Sequence, residues 1–386
     1  MENSAMKKIL STLLVMILTA PVFAQPDPSV TLTSTSLGYP YTQPFTVKVS
    51  FSEPVTGFGV TDINIVNATV TNLVNNCNTK FTMTVTPTIP GPITMFVPAN
   101  LVKSLSTGAP NKLSNKLNII ALNPAVNPSS NFDLSLWTLI LPLPLSGIDV
   151  ATTINNNTLI GHPTLNTGYS EPPYFFTDGV TGSMNFFAPL NGATTPGSVY
   201  PRCELSEYLP ASPHSWTLAT YTSNTLTGSL LIKQMPPSKK IVVGKIQDKG
   251  NTDPLGQIAS SKPLVKIYYD LNQLDPNGNP CNGCIYARIR PSPAQDNYLK
   301  TITLANNMAL NEFFIYHITL LSDGTLTVKI NNASTSYNLN TSTDNTLGWG
   351  SQELFFKAGV YIQDNGTSNA IGGQASFYSL QIKHVF

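Results

Sequence analysis

The chain has 386 residues, of which 11% are charged, and its formal net charge is +1. That length favours two or three domains with ample core. The near-neutral balance excludes a histone-like polyanion-coating protein, while leaving room for a local basic patch. Thr, Ser, Asn, Gly and Pro are abundant and long helical patterns are scarce, which suits an all-β protein with many turns.

In chain order, Lys7 and Lys8 precede an apolar run from Ile9 to Leu18, and Val22 and Ala24 supply small residues before Gln25. This is a signal-peptide pattern over residues 1–24, with secretion and cleavage expected near Ala24. The run is shorter than the roughly 20 residues of a membrane span. Residues 25–122 read as a small β domain: Val30–Thr33, Phe45–Phe51, Phe81–Thr86 and Ile93–Val97 are short strands parted by turn signals. From Phe51-Ser52-Glu53-Pro54-Val55-Thr56-Gly57-Phe58 through Asp62-Ile63, the segment resembles bacterial immunoglobulin-like domains. Such modules act as spacers or adhesive units. Residues 123–130, with Pro124 and Pro128, read as a linker.

From residue 131 to 386 the pattern is again β. Runs such as Leu136–Leu141, Thr225–Ile232, Leu264–Tyr269, Cys284–Arg290 and Leu354–Gln363 recur without helices between them, and Asp323-Gly324 marks a hairpin. So many strands point to a two-sheet, concanavalin-like jelly-roll sandwich. Asn155-Asn156-Asn157 reads as loop. Cys281-Asn282-Gly283-Cys284 lies in a turn-rich stretch, where a local disulfide is the expected state. A thioredoxin-like pair is disfavoured because no βαβ pattern surrounds it. Cys77 and Cys203 are expected to stay unpaired.

Three distant segments share one character: a strand with one apolar and one polar face. Arg202, Glu204 and Ser206 alternate with Cys203 and Leu205. Lys245 and Gln247 flank Ile246. Lys357, Gly359, Tyr361 and Gln363 alternate with Phe356, Ala358, Val360 and Ile362. Each alone is an ordinary solvated strand; together they are expected to line one polar cleft. Paired-carboxylate hydrolysis is disfavoured, because Glu204 and Glu207 fall on opposite faces.

Taken in order, the three segments resemble the motifs of polysaccharide lyase family 7, the alginate lyases. The resemblance starts at Asn131-Phe132-Asp133-Leu134-Ser135-Leu136-Trp137 and covers the whole second domain. Arg202-Cys203-Glu204-Leu205 matches the Arg-Ser-Glu-Leu element. Phe356-Lys357-Ala358-Gly359-Val360-Tyr361-Ile362-Gln363 matches the last motif closely. Lys245-Ile246-Gln247 stands where the family has Gln-Ile-His or Gln-Val-His, and Ser206 where it often has a second Arg.

The resemblance implies β-elimination at a uronic acid. A cation or donor neutralises the C5 carboxylate, a base removes the C5 proton, and an acid protonates the leaving oxygen. It implies catalytic roles for Tyr361, Arg202, Gln247 and Lys245. Glu204, Ser206, Lys357 and Gln363 would bind substrate, with Glu204 binding sugar hydroxyls or orienting Arg202. An amide at 247 cannot be a general base, which predicts dependence on Tyr361 alone, as acid and as base once a nearby cation lowers its pKa, and with it narrower substrate use, another polyuronate such as glucuronan, or lost activity. The expected partner is an acidic polysaccharide, with no nucleic acid, membrane, metal or other cofactor, and the protein is expected to be a monomer. The competing readings are a jelly roll that binds polyuronate without chemistry and an adhesion protein dominated by its first module.

Overall fold

The computed structural model describes residues 27–162, 165–250, 262–275, 277–293, 300–343 and 348–386. The expected signal peptide and its cleavage point lie outside them, as does Pro276.

The first domain is a sandwich of two four-stranded sheets. One runs Val30–Thr33, Phe45–Phe51, Lys80–Pro87, Ala68–Asn75, and the other Gly38–Pro40, Leu117–Leu122, Gly91–Phe96, Asn64–Val66. Period-2 alternation builds its core: Val47, Val49, Met83, Val85, Ile93, Met95 and Ile119 are fully buried. Between the domains, Pro128–Asn131 forms one helical turn. Asn131 braces this stretch, accepting from the Asn123 N–H and donating to its carbonyl.

The second domain is the two-sheet jelly roll expected. Its seven-stranded sheet runs Phe175–Thr177, Met184–Pro189, Gly372–Val385, Ser223–Gln234, Phe314–Leu321, Thr325–Ile330, Ala333–Asn338. Its eight-stranded sheet runs Ala151–Ile154, Trp137–Pro144, Arg202–Glu207, Leu354–Ile362, Lys240–Asp248, Pro263–Asp270, Cys284–Ile289, Lys300–Ala305. The sheets bury one continuous apolar layer between them. One expectation is corrected. Asn155-Asn156-Asn157 is not loop: Asn156–Ile160 is a short helix, and Asn155 caps it by accepting the Thr158 N–H at 2.9 Å.

The first domain sits on the outer face of the seven-stranded sheet. The Ser36 and Ser229 hydroxyls meet at 2.8 Å, and Gly38 packs on the Tyr378 backbone so closely that a Cβ would lie 1.7 Å from its carbonyl oxygen. The outer face of the eight-stranded sheet, which carries the three polar segments, lies on the side away from the first domain.

Candidate active site

The three segments that are distant in sequence become adjacent strands at the centre of the eight-stranded sheet. Arg202 stands opposite Tyr361, Glu204 opposite Gly359 and Ser206 opposite Lys357. On the other flank of the same strand, Lys245 stands opposite Lys357 and Val242 opposite Tyr361. The alternation holds: Cys203, Leu205, Ile246, Phe356, Ala358, Val360 and Ile362 are fully buried on the core face. An irregularity between Val242 and Gly244 fits the strands together. Gly359 has φ +136°, and a Cβ on it would lie 2.6 Å from the Cys203 carbonyl oxygen, so only glycine fits there. Gly244 admits the Tyr316 ring from the opposite sheet, 2.8 Å from where its Cβ would be.

Glu204 is the hub of the floor. Lys245 Nζ lies 3.0 Å from its Oε1, and Lys357 Nζ lies 3.2 Å and Arg202 NH1 3.5 Å from its Oε2. The four residues are 2% (Glu204), 1% (Lys245), 5% (Lys357) and 8% (Arg202) exposed. Burial alone would raise the Glu204 carboxyl, but the three cations outweigh it and hold the pKa at about 2. Lys245 and Lys357 are nonetheless both pushed down, by burial first, against the pull of Glu204. Burial disfavours both ammonium groups, and one carboxylate that also serves Arg202 offsets it only in part. A second anion above the floor would favour the charged form of both lysines.

Tyr361 lies over this floor. The Arg202 guanidinium stacks 4.1 Å from its ring centroid, with Lys245 Nζ at 4.8 Å and Lys266 Nζ at 5.8 Å. Its hydroxyl meets Ser198 Oγ at 3.3 Å, and the same Oγ accepts from Arg202 NH2. Around the ring pack Val242, Tyr268, Tyr286 and the closed disulfide Cys281–Cys284, which fixes that wall of the cleft. The phenol is thus held by its face, and the residue as a whole is half-buried.

The three segments share one face, as expected, but their residues lie at different depths. Lys245 and Glu204 are sealed beneath the face. Glu204 therefore braces Arg202, Lys245 and Lys357 and does not present its carboxylate to sugar hydroxyls. Gln247 is half-buried on the same face, paired with Phe355 where Tyr361 pairs with Val242, so the two stand at different levels of the sheet. Its amide donates to the Asp248 carbonyl at 3.3 Å. Gln363 lies one residue past the strand, and its side chain donates to the Ile362 carbonyl at 2.8 Å. Ser206 is half-buried beside Lys357. Glu207 turns inward as expected, accepting from Trp216 Nε1 and the Phe356 N–H and meeting His384 Nε2 at 2.7 Å.

Sequence reasoning missed Ser198, Lys266 and Arg288. Ser198 comes from a loop and carries no periodic signal. Lys266 and Arg288 did carry one: each is the polar member of an alternating strand, Val265-Lys266-Ile267 and Ala287-Arg288-Ile289. In the sheet, Arg288 stands opposite Lys266, and Lys266 opposite Lys245. One cationic row, Arg288, Lys266, Lys245, Lys357, thus crosses four strands. Among the described residues, no group of three His, Cys, Asp or Glu is placed to hold a metal ion.

Comparison with known proteins follows the same division of the chain. Residues 132–384 match the model of an alginate lyase family, and residues 24–118 match a bacterial Ig-like domain. An alginate lyase from Klebsiella pneumoniae is 25% identical over 289 residues, covering 67% of this chain and 91% of the relative. The crystal structure of an alginate lyase from Pseudomonas aeruginosa superposes with a TM-score of 0.52 at 30% identity, over 65% of this chain and 99% of that one. Alginate lyase A1-II', a member of polysaccharide lyase family 7, superposes with a TM-score of 0.53 at 30% identity, over 67% and 99%. A tyrosine-to-phenylalanine variant of A1-II' has been crystallised in complex with product (GGG).

Proposed function

The chain belongs to the alginate lyase family, matched over residues 132–384, and is a polyuronate lyase; from that premise we propose how its cleft performs β-elimination. A uronate carboxylate enters over the cationic row and is neutralised by Arg202, whose planar fork suits a carboxylate. Neutralisation makes the C5 proton removable. A base on the same face takes the C5 proton, the C5–H electron pair forms the C4=C5 double bond, the C4–O bond breaks, and the Tyr361 hydroxyl gives its proton to the departing oxygen. The products are an unsaturated sugar end and a free hydroxyl, and no water is consumed. Glu204 keeps Lys245 and Lys357 in place beneath the reaction.

The observation that carries this reading is the gathering of Arg202, Lys245 and Lys357 on Glu204, set under a cation-stacked phenol. Alginate is the leading substrate, since variants of the related alginate lyase A1-II' have been crystallised with product and with substrate; glucuronan is the alternative. Export by the leader over residues 1–24 fits an extracellular polymer, and no helix among the described residues is long and apolar enough to cross a membrane. We read the first domain as a spacer, since it docks on the sheet opposite the cleft, and the protein as a monomer.

Purified protein mixed separately with polymannuronate, polyguluronate and glucuronan should raise the ultraviolet absorbance of unsaturated ends on at least one of them. Gln247 in place of an imidazole favours the second reading, a binding protein without chemistry. Retained binding with no absorbance change on any polymer would establish that reading instead.

A further inference from the structure

Elimination needs a group to accept the C5 proton, and most candidates in the cleft are disqualified. Gln247 is an amide. Glu204 is sealed under three cations with its carboxyl held at about 2. Lys245 and Lys357 are buried and committed to that carboxylate. Guanidinium groups do not give up their proton. The histidines lie elsewhere: His384 is bonded to Glu207 on the inward side, His317 to Thr227 on the other sheet, His214 to Tyr208 and the Leu209 carbonyl, and His162 lies in the segment after the Asn156–Ile160 helix. Lys240, half-buried on the strand of Lys245, is paired with Asp270 at 3.2 Å, and Tyr200 packs its ring beside Tyr361; Tyr361 and Lys266 are the half-buried titratable groups next to the floor.

We propose that Lys266 is the proton acceptor of the reaction, working opposite Tyr361 as proton donor. The assignment rests on the lyase reading above. Lys266 projects from Pro263–Asp270, with its Nζ 5.8 Å from both the Tyr361 and the Tyr268 ring centroids. Only Val242, a small residue, lies between Tyr361 and Tyr268 in the row of paired residues. Lys266 forms no ion pair among the described residues. The groups around it are mostly cationic: Arg288 and Arg290 on one side, Lys245 on the other, and Arg202 beyond Tyr361. Glu204 is already shared by three cations, and Asp270, on its own strand, is paired with Lys240 at 3.2 Å.

That setting favours the neutral amine. Burial first, then Arg288, lowers the Lys266 pKa to about 8, against the pull of Glu204. In the step itself, the Lys266 lone pair takes the C5 proton and becomes an ammonium. The C5–H electrons form C4=C5, the C4–O electrons leave with the glycosidic oxygen, and Tyr361 protonates that oxygen, becoming a phenolate. Proton return from the Lys266 ammonium through solvent to the phenolate restores both groups. Arginine at 266 would keep the charge and lose the base.

The test uses the full chain and its best polyuronate, following kcat and KM from about pH 6 to about pH 10, with oligouronate affinity measured separately. Wild-type kcat should rise with pH through about 8, since the charged amine is inactive. Lys266→Arg should bind the oligouronate as well as wild type, lose about 10²- to 10⁴-fold in kcat, and lack that limb. Full kcat in Lys266→Arg, or a wild-type profile with no limb near 8, would overturn the assignment and reduce Lys266 to a carboxylate contact. The wild-type limb decides the matter even where the variant folds poorly. A wild type that makes no unsaturated ends on any polyuronate would overturn the lyase reading, a distinct result that removes this assignment with it.

Discussion

The cationic row has two halves, and they behave differently. Lys245 and Lys357, at the centre, are buried and tied to Glu204. Lys266 and Arg288, on the next two strands, are half-buried. The same residue type on the same face of one sheet therefore serves two ends. The central half is a brace whose charge acts from below as a field. The lateral half can meet a substrate atom. Buried cations cost desolvation free energy unless they are paired, so the brace stands or falls with its one carboxylate.

The largest effect should come from breaking the brace. Glu204→Gln leaves two buried ammonium groups without their counter-charge and should destabilise the protein by about 3–5 kcal/mol, read from denaturant unfolding. The pH dependence follows with its sign. The Glu204 carboxyl is held at about 2, below its ordinary 4.5, so its contribution is complete above about 4.5 and is lost as pH falls toward 2. The variant should lack this loss of stability over that window; an equal acid loss in both proteins would assign it to other carboxylates.

Arg202→Ala should come next, removing the fork that neutralises the substrate while leaving Glu204 two partners. A fall in kcat/KM of about 10²- to 10³-fold is expected, the scale of losing one preorganised donor to a developing anion. Lys245→Met separates brace from reactive group more finely. It removes one of the three cations that share Glu204 and should cost about 1–2 kcal/mol of stability, well short of Glu204→Gln. Equal losses would mean that the three cations are not redundant. The smallest expected effect is Gln247→His, which should broaden the range of uronates cleaved with little change on the best one. An unchanged range would show that position 247 does not set specificity.

Much of this was legible in the sequence, for one physical reason. Period-2 alternation records which way a strand residue faces, and the jelly roll, the buried Phe356, Ala358, Val360 and Ile362, and the shared polar face follow from it. Strands with weak alternation escaped: Lys300–Ala305 is exposed or half-buried throughout, and Ala151–Ile154 is a short edge strand. Depth was not legible either. Lys245 and Lys266 alternate alike, yet one lies at the sheet centre among Arg202, Glu204 and Lys357 while the other lies to its side. Ser198 reaches the site from a loop, where no period applies. The Asn155 cap was overlooked because Asn-rich stretches favour turns and helix starts equally.

The central claim is that Tyr361 moves a proton to the leaving oxygen. Tyr361→Phe keeps the ring that Arg202, Lys245 and Lys266 stack on and removes only the hydroxyl. The most direct measurement compares unsaturated-end formation and oligouronate binding for wild type and this variant on the best polyuronate. The account predicts retained binding with kcat reduced about 10²- to 10⁴-fold; a variant that forms unsaturated ends at the wild-type rate would contradict it.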